Sequence, residues 1–546
     1  MAKATKKVTT EKTLEQVLWD CRVALRGVGS LDKNRDAVIS LVFLKFAGDK
    51  FEKRRKYLRD TYGDNPIFLE KVSFYNADNV FYLPEEARWS YIVANSSRDD
   101  IAVVLDKALK TIEETNSEAL KDTLQKNLFV TLAAGKEKLK SLIDNVNNIN
   151  EKKYDEQDLI GRVYEYFLRL YAASGTKEDG EFYTPASVVE LIAELIEPFE
   201  GKVYDPCCGS GGMFVQSLKF VEEHQGNKNQ VSVIGQESNP DTWRLAKMNL
   251  AIRGISYNLG AINASTFTND QHKDTTVDYI MANPPFNLKD YWGENLDKDP
   301  RWRPYAIPRE SNANYAWIMH MISKLDVNHG VAGFLLANGA LGDSDDAQVR
   351  EKIIRADKVE AIFVLPRDMF YTTDISVTLW ILNMNKKART VRGRKLRDRT
   401  NEILFVDLRT WDSNISEVTI DKGKTKKKTC LTKEQIEQVK QIYNNWQSEN
   451  RELYEDIPEL CKSVKVFNSQ LTQEEIDLGV KTIESCDFTL IPSKYIKFID
   501  HDLEIDYEYE IKKIQEEMRE IVRIEKKSQN MLVNAFRGIG YGIEED

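Results

Sequence analysis

Several signals that would place this chain outside the cytoplasm are missing from its 546 residues. No run approaches the ~18 consecutive apolar residues that a membrane-spanning helix needs. The first residues, MAKATKKVTTEKT, lack the apolar segment of a secretory signal. The chain has six cysteines, no Cys-x-x-Cys pair and only five histidines, which argues against a disulfide framework and a structural zinc site. These absences predict a cytoplasmic protein with no membrane segment and no resident metal.

An excess of positive charge is also missing. The 77 lysines and arginines are outnumbered by 87 aspartates and glutamates, which gives a formal net charge of -10. Any contact with nucleic acid must therefore be local or shared with a partner. The hydrophobic fraction of 42% is sufficient for sizeable cores and excludes a disordered chain. At roughly 150 residues per domain, the length predicts about three units.

The residue patterns divide the chain into three regions. Residues 1–150 have the apolar periodicity of helices and end in a polar linker that starts at Asn145. The first predicted helix has apolar residues on one face: Leu14, Val17, Leu18, Cys21 and Leu25. Residues 151–420 alternate short apolar runs with helical patterns, which predicts an α/β domain with a doubly wound, mostly parallel sheet. Residues 421–546 are charged and helical, and the helix from Tyr507 to about Ala535 has a coiled-coil spacing of apolar residues.

Seven apolar runs in the middle region are predicted strands. They begin at Lys202, Val231, Tyr279, Val331, Glu360, Ser376 and Glu402. The last two have no convincing helix between them, so we expect them to form a closing antiparallel pair. Beyond Leu408 we expect no further βαβ unit, and we expect the Lys-rich segment from Asp421 to be a solvated loop.

The most informative segment is VYDPCCGSGGMF, Val203 to Phe214. A strand ends there at Asp205 and passes into the loop Gly209-Ser210-Gly211-Gly212 before a helix. Glycine lets the backbone approach a ligand closely, and doubly wound sheets bind ligands at the carboxyl ends of central strands. The loop therefore predicts a site for a nucleotide-like cofactor, with a plain strand-to-helix turn as the alternative. It matches neither G-x-x-x-x-G-K-[ST] nor G-x-G-x-x-G, which disfavours ATP and dinucleotides.

Two later strand ends supply further polar groups. The strand from Val231 is followed by Glu237, whose carboxylate is suited to accept both hydroxyls of a ribose or, alternatively, to cap a helix. The strand from Tyr279 is followed by Asn283-Pro284-Pro285-Phe286. The Asn283 side-chain oxygen and the Pro284 carbonyl are a pair of acceptors, and Phe286 offers a flat face. Such a site suits a planar base with an exocyclic amine, whereas a simple turn is the alternative.

In their order along the chain, these three segments resemble the amino-group DNA methyltransferases that use S-adenosylmethionine. Gly180-Glu181-Phe182-Tyr183-Thr184-Pro185 resembles the cofactor-closing motif of one permutation class of that family. Three features resemble, more narrowly, the modification subunit of type I restriction-modification systems: the front helical region with LVFLKFAGDKFE, the GEFYTP segment, and LIPSKYI at Leu490. The resemblance covers nearly the whole chain.

The resemblance implies a Rossmann-like, S-adenosylmethionine-dependent methyltransferase domain at residues 151–420, with an N-terminal helical domain and a C-terminal helical tail. It implies methyl transfer to the N6 amine of adenine in double-stranded DNA, with Asn283, Pro284, Pro285 and Phe286 as the catalytic residues. The implied cofactor-binding residues are Glu181, Phe182, Tyr183, Thr184, Pro185, Asp205, Gly209, Ser210, Gly211, Gly212, Glu237 and Asn263. In the family an acidic residue often follows the third strand and contacts the cofactor adenine. This chain has Ala261 and Asn263 there, and the Asn263 side-chain oxygen is the expected substitute.

The resemblance also implies partners: a DNA-specificity subunit, a restriction subunit, and two modification subunits for each specificity subunit. Residues 421–546, and the terminal helix in particular, are the candidate docking region. A run of eight basic residues is either a solvated loop or a phosphate contact: Lys386, Lys387, Arg389, Arg392, Arg394, Lys395, Arg397 and Arg399. The alternative functions are a non-catalytic, cofactor-binding scaffold of a defence complex, an N4-cytosine DNA methyltransferase and, less well matched, a protein-glutamine methyltransferase with its N-P-P-[YF] motif.

Overall fold

The computed structural model describes residues 14–149, 166, 184–370, 375–421, 424–497 and 507–538. The chain forms two compact units, residues 1–496 and residues 497–546, and each is described by itself. In these described ranges, we find no helix with the length and apolar character needed to cross a membrane.

The N-terminal part of the first unit is helical, as predicted. Its helices are α1 (Leu14–Ala24), α2 (Leu31–Tyr62), α3 (Pro66–Leu69), α4 (Ser73–Asn76), α5 (Trp89–Ala94), α6 (Ile101–Thr115), α7 (Ser117–Leu120), α8 (Leu128–Leu132) and α9 (Lys136–Asn147). The five apolar residues predicted for one face of the first helix are at most 2% exposed. Gly27 and Gly29 follow α1 with positive φ angles, and Ser30 caps α2 by accepting the Lys33 N–H. The predicted start of the linker at Asn145 is wrong, because α9 continues to Asn147 and both Val146 and Ile149 are buried. The rest of the predicted linker lies outside the described residues.

The strands of the first unit follow in chain order. They are β1 (Gly201–Asp205), β2 (Val231–Gly235), β3 (Tyr257–Asn258), β4 (Tyr279–Ala282), β5 (Val331–Ala337), β6 (Val359–Val364), β7 (Val377–Asn383), β8 (Arg389–Val391), β9 (Arg394–Leu396), β10 (Glu402–Asp407), β11 (Ile415–Asp421), β12 (Lys424–Thr429) and β13 (Cys461–Lys465). Nine of them form one sheet in the order β13-β10-β6-β7-β5-β4-β1-β2-β3. All seven predicted strands are present in it. Neighbours are parallel except where β7 meets β5 and β6 and where β13 meets β10.

Helices cover both faces of this sheet, which makes the fold doubly wound, as predicted. They are α10 (Ala186–Ile196), α11 (Gly212–Glu223), α12 (Pro240–Ile252), α13 (Asn314–Lys324), α14 (Ala347–Arg355) and α15 (Lys433–Gln447). The short helix α16 (Gln473–Asp477) has no buried residue and is not part of either face. One core packs α10, α11, α12 and α15 on one face, and a second core packs α13 and α14 on the other. Alternate residues of a strand serve the two cores, since Met281 of β4 lies in the first and Ile280 in the second.

The prediction of a closing antiparallel pair is wrong. The strand predicted from Ser376 is β7, which lies between β5 and β6 and is antiparallel to both. The strand predicted from Glu402 is β10, which is parallel to β6 and does not pair with β7. The small hairpin β8–β9 makes the connection between them in place of a helix. All seven residues of β7 are buried, which is the character of a strand inside a sheet.

Two predictions about the region beyond Leu408 are also wrong. Strand β13 extends the main sheet, pairing with β10, so this region is not only helical. The Lys-rich segment is not a loop, because β12 pairs with β11 in a two-stranded hairpin. The register sets Glu417 opposite Lys427 and Asp421 opposite Lys424, so residues of opposite charge face each other along the hairpin.

Helix α12 is shared between the N-terminal helices and the sheet. Leu245, Met248 and Ile252 belong to the N-terminal core, whereas Ala246 and Leu250 belong to a core of the sheet. Hydrogen bonds from Lys50 Nζ to the Ile252 carbonyl (3.0 Å) and from the Tyr257 hydroxyl to the Ala119 carbonyl (3.0 Å) tie the two parts together.

The second unit contains the helix α17 (Tyr507–Gly538), which confirms the predicted terminal helix. Large apolar side chains on α17 are exposed rather than buried. They are Met518, Ile521, Val522, Ile524, Met531, Leu532 and Phe536, and Ile521 is 63% exposed. A helix with this many exposed apolar groups has a face that is available for packing against another surface.

Candidate active site

The sheet reverses its strand order at β1. From β1 the chain moves outward to β2 and β3, then returns to place β4 on the other side of β1. Ligands of doubly wound sheets bind at such a switch point, beyond the carboxyl ends of the strands. A cavity of about 540 Å³ lies there. The predicted site residues that line it are Thr184, Asp205, Gly209, Ser210, Gly212, Glu237, Asn283 and Pro285.

The glycine loop leaves open space where side chains would otherwise stand. A Cβ atom added to Gly209 or Gly212 would meet no protein atom within 4 Å. Gly209 and Gly211 have φ angles of +53° and +80°, which L residues with side chains rarely adopt. The Asn249 side chain of α12 donates a 2.8 Å hydrogen bond to the Ser210 carbonyl and so fixes the middle of the loop. The loop is therefore a rigid cradle with room for a ligand against its backbone.

Asp205 lies at the end of β1 and is only 2% exposed. Its carboxylate accepts the backbone N–H of Cys207 at 3.0 Å. Burial raises the pKa of the Asp205 carboxyl from 3.8 to about 7; the Cys207 hydrogen bonds oppose this rise, and the nearby Glu237 adds to it. Without a positively charged group nearby, this carboxyl is therefore partly protonated near neutral pH.

Glu237 connects the first two strand ends. One carboxylate oxygen accepts the Gly209 N–H at 3.0 Å, and the other accepts the Asn239 N–H at 2.8 Å. Asn239 is the N-cap of α12, so Glu237 also has the alternative role given above, a carboxylate that bonds the start of a helix. Since Glu237 lines the cavity as well, the two roles coexist.

Asn283 follows β4 at the wall of the same cavity. Its side-chain amide donates a 2.9 Å hydrogen bond to the Thr184 hydroxyl. Its side-chain oxygen is buried and has no hydrogen-bond partner in the described part of the chain. A buried, unpaired acceptor costs free energy, and native proteins rarely keep one without a use. The amide is thus held with its oxygen free to accept from a ligand.

The segment after Asn283 is supported by asparagines. Asn287 has a φ of +54°, and its N–H donates to the side-chain oxygen of Asn314 at 3.0 Å. The Asn314 side chain donates in return to the Asn287 side-chain oxygen at 2.9 Å. Phe286 is half-buried, and its ring meets Phe370 edge-on at a centroid distance of 6.4 Å. The turn is therefore fixed from α13, which sequence reasoning did not anticipate.

Some predicted site residues do not line the cavity. These are Pro185, Gly211, Pro284, Phe286 and Asn263, while Glu181, Phe182 and Tyr183 lie outside the described residues. Gly211 faces the Leu250 side chain of α12 instead. The Asn263 side chain donates a 2.8 Å hydrogen bond to the Ser238 carbonyl, which turns it toward the protein. The expected substitute for the family's acidic residue is therefore not positioned at the cavity wall.

The run of eight basic residues is mostly engaged within the chain. Six of the eight pair with carboxylates, as shown by the pairs Lys386–Asp357, Arg392–Glu200, Arg394–Glu197, Lys395–Glu449, Arg397–Glu402 and Arg399–Glu360. Arg399 and Glu360 are both fully buried. The prediction of a solvated loop is wrong for this segment, because it forms the hairpin β8–β9 and its ion pairs connect it to neighbouring parts of the first unit. A phosphate contact stays a prediction for its exposed side chains, such as Lys395.

Comparison with known proteins identifies the family. A family model described as N-6 DNA Methylase matches residues 155–486, and one described as HsdM N-terminal domain matches residues 14–146. The HindI methylase subunit of a type I restriction enzyme from Haemophilus influenzae is 38% identical over 437 residues, which cover 76% of this chain and 89% of that protein. The chain belongs to the type I restriction enzyme methylase subunits.

Further relatives of this methylase subunit belong to the same family. The MjaIX methylase subunit of Methanocaldococcus jannaschii is 30% identical over 554 residues, which cover 96% of this chain and 91% of that protein. The crystal structure of a type I methyltransferase subunit from Streptococcus thermophilus shares the fold, with a TM-score of 0.66, 20% identity, and coverage of 90% of this chain and 100% of that one. This methylase subunit is thus an adenine-specific DNA methyltransferase that modifies the N6 amine, as the modification subunit of a type I system. The family match is to N6 rather than N4 enzymes.

Proposed function

We propose that the cavity binds S-adenosylmethionine and that the target adenine enters beside Asn283. The observation that carries this proposal is the buried side-chain oxygen of Asn283, which has no partner in the described ranges and lies at the cavity that the glycine loop also lines. Enzymes that act on a base inside a duplex rotate it into such a pocket. The unpaired oxygen is the acceptor that the adenine amine requires.

The residues at the cavity fit the cofactor. Gly209 and Gly212 leave space that a side chain would fill, which suits the methionine end of the cofactor. Asp205 supplies a carboxylate whose ionised form a positive group would favour. Glu237 lines the cavity and accepts the backbone N–H groups of Gly209 and Asn239, so its carboxylate is a hydrogen-bond acceptor that suits the ribose hydroxyls. Thr184 and Pro185, with Glu181, Phe182 and Tyr183, remain the proposed closing segment.

The chemistry requires positioning and acceptors. The cofactor supplies, when bound, a sulfonium-activated methyl group. The amine of adenine is a poor nucleophile because its lone pair is delocalised into the ring. The Asn283 oxygen and the Pro284 carbonyl accept its N–H groups, localise the lone pair and stabilise the positive charge that develops on nitrogen. Thr184 keeps the Asn283 amide in the required orientation through its hydrogen bond.

The turn also supplies a surface for the displaced base. Phe286 is half-buried with its ring supported edge-on by Phe370. Removing a base from the duplex costs a few kcal/mol, and stacking on an aromatic ring recovers roughly 1 to 3 kcal/mol per base. We therefore assign Phe286 to hold the target base, with Pro285 shaping the turn.

Substitution of Asn283 tests the proposal. Asn283→Ala in the full chain, assembled with its specificity subunit, should still bind S-adenosylmethionine in a calorimetric titration. Methyl incorporation into duplex DNA should fall by roughly 10² to 10³, the usual effect of removing one group that stabilises transition-state charge. Asn283→Asp keeps an acceptor oxygen and should retain more activity than the alanine variant. The modified nucleoside should be N6-methyl-2′-deoxyadenosine in every active sample.

The matched control is Asn229→Ala, which alters an exposed asparagine ahead of β2. This variant should methylate DNA at the wild-type rate. Equal activity of Asn283→Ala and Asn229→Ala would refute the catalytic assignment. Loss of cofactor binding in Asn283→Ala would instead show that the residue acts in binding.

We also propose the partners of the site. The relatives are named as subunits of type I restriction enzymes, and this chain presents exposed apolar groups on α17. We assign residues 421–546, and α17 in particular, to docking on the specificity subunit, which selects the DNA sequence. Two modification subunits would flank each specificity subunit, and a restriction subunit would complete the assembly that protects host DNA.

Charge introduced on α17 tests the docking. Ile521→Lys combined with Ile524→Lys should abolish co-purification with the specificity subunit, because both side chains are more than half exposed and would be buried by docking. The control Arg523→Glu combined with Lys527→Glu changes the charge on the same helix without changing apolar groups. Retained co-purification of the lysine variant would contradict docking through this face.

A further inference from the structure

Part of the cavity wall is aromatic and belongs to the face of the sheet that α13 covers. Phe267, Tyr291 and Trp317 line this part. The rings of Phe267 and Trp317 lie at a centroid distance of 4.2 Å, and those of Phe267 and Tyr291 at 4.8 Å. Leu288 completes an apolar surface next to them. A wall of this composition suits a flat ring.

Two polar groups at this wall are without partners in the described residues. Trp317 is 4% exposed, and its indole N–H makes no hydrogen bond. Asp290 follows the Asn283 turn by a few residues, is exposed, and lines the cavity without an ion pair or hydrogen bond from the described part of the chain. A buried donor without a partner is costly unless a ligand accepts from it. The wall therefore offers one acceptor and one donor to a ligand.

These two groups complement adenine. The carboxylate of Asp290 can accept a hydrogen bond from the exocyclic amine, and the N–H of Trp317 can donate to a ring nitrogen beside that amine. Guanine carries a carbonyl oxygen where adenine carries its amine, and a carboxylate repels that oxygen. The pair thus selects an aminopurine ring on chemical grounds.

The adjacent segment of this chain indicates whether the wall binds the adenine of the cofactor or the target adenine of DNA. Ala264 donates its N–H to the Glu237 carbonyl at 2.9 Å, and the same short segment leads to Phe267, which contacts Trp317. Glu237 is the residue proposed to hold the ribose of the cofactor. A base attached to that ribose would follow the Ala264–Phe267 segment to the aromatic wall. Ala264 has no polar side chain to offer, and Asn263 is turned toward Ser238.

We infer that Asp290 and Trp317 recognise the adenine of the cofactor, so that this chain takes its base-reading carboxylate from the segment after β4. The inference rests on the proposed binding of S-adenosylmethionine. It assigns specificity to two residues outside the motifs that sequence reasoning selected.

A cycle of protein and ligand changes tests Asp290. The probes are S-adenosylhomocysteine and its analogue with purine in place of adenine, which lacks only the amine, and calorimetry on the full chain measures both affinities. The wild type should prefer the adenine compound by roughly tenfold or more, as expected for a hydrogen bond to a charged acceptor. Asp290→Ala should lose this preference. The control Asp297→Ala, an exposed aspartate in the same segment, should keep it.

The second arm tests Trp317 through Trp317→Phe, which keeps an aromatic ring but removes the N–H. The probes are the 1-deaza and 7-deaza analogues of S-adenosylhomocysteine, each of which lacks one ring nitrogen beside the amine. The wild type should bind one of the two several-fold more weakly than S-adenosylhomocysteine. The Phe variant should bind that analogue and S-adenosylhomocysteine equally well. A preference for the amine that is unchanged in Asp290→Ala would overturn the inference, even if Trp317→Phe did not fold. Absence of S-adenosylhomocysteine binding in the wild type would overturn the proposed cofactor as well. Binding without any coupling to Asp290 would overturn this inference alone.

Discussion

We predict that Asp205 makes the binding of S-adenosylmethionine depend on pH, because its carboxyl is buried at the cavity. Burial raises the pKa of this carboxyl from 3.8 to about 7. At ~1.4 kcal/mol per pH unit, the difference corresponds to roughly 4 kcal/mol that disfavours the ionised form in the folded chain. The folded state holds the proton more tightly than the unfolded state. This contribution to the free energy of unfolding is therefore fully present below about pH 3.8 and is lost as the pH rises through about 7.

A positively charged ligand reverses the preference of Asp205 for its protonated form. The sulfonium of S-adenosylmethionine favours ionised Asp205, so binding below pH 7 should release a proton. We expect wild-type affinity to increase with pH by up to about tenfold per unit as the pH approaches 7, and to level off above it. Asp205→Asn mimics the protonated acid and should bind with an affinity that changes little over this range.

Calorimetry in two buffers of different ionisation enthalpy measures the released proton directly. At pH 6 the wild type should release most of one proton on binding S-adenosylmethionine, and Asp205→Asn should release close to none. S-adenosylhomocysteine lacks the sulfonium charge and should release less than S-adenosylmethionine. Equal proton release by the wild type and Asp205→Asn would refute the reasoning.

Two further substitutions test other parts of the structure. Gly212→Leu should reduce cofactor affinity by more than tenfold with little change in melting temperature, because Gly212 lines the cavity and a Cβ there would meet no protein atom within 4 Å. Gly135→Leu, at a similarly open glycine, is the control, and normal binding by Gly212→Leu would contradict the cradle. Arg399→Met should lower the free energy of unfolding by roughly 3 kcal/mol, because it leaves Glu360 buried without its cation. Chemical denaturation measures this change, and unchanged stability would contradict a stabilising role of the buried pair.

The part of the site that could be predicted depends on parallel strands. Asp205, Glu237 and Asn283 each follow an apolar run, and the carboxyl ends of neighbouring parallel strands lie at one edge of a sheet. The sequence order of these groups was therefore enough to bring them to one cavity. Their individual roles remain predictions that the proposed substitutions test.

The position of β7 was less accessible, although a signal was present. Its run of seven buried residues, Val377 to Asn383, is continuous rather than alternating, as expected for a strand with neighbours on both sides. The absence of a helical pattern before Glu402 favours direct pairing of the two strands, but the hairpin β8–β9 makes that connection instead. Net charge likewise misled the interpretation of Lys424–Thr429, since cross-strand pairing accommodates lysines in a strand.

Other site residues had no local signal. Asn249 reaches the glycine loop from the middle of α12, and Trp317 reaches the cavity from α13. Most residues of both helices are buried, so only the packing of the folded chain shows which side chains turn toward the cavity. Asp290 is similar, because an aspartate in a polar segment predicts only exposure to solvent.

Because α12 contributes apolar residues to two cores, it joins the N-terminal helices to the floor of the cofactor pocket. Its first turn follows Glu237, and Asn249 along it fixes the glycine loop. Leu245 and Met248 pack with the N-terminal helices, so we expect a partner that shifts those helices to disturb α12 as well. We therefore expect assembly at the N-terminal helices to change the affinity for the proposed methyl donor, which binding measurements with and without the partner subunit would check.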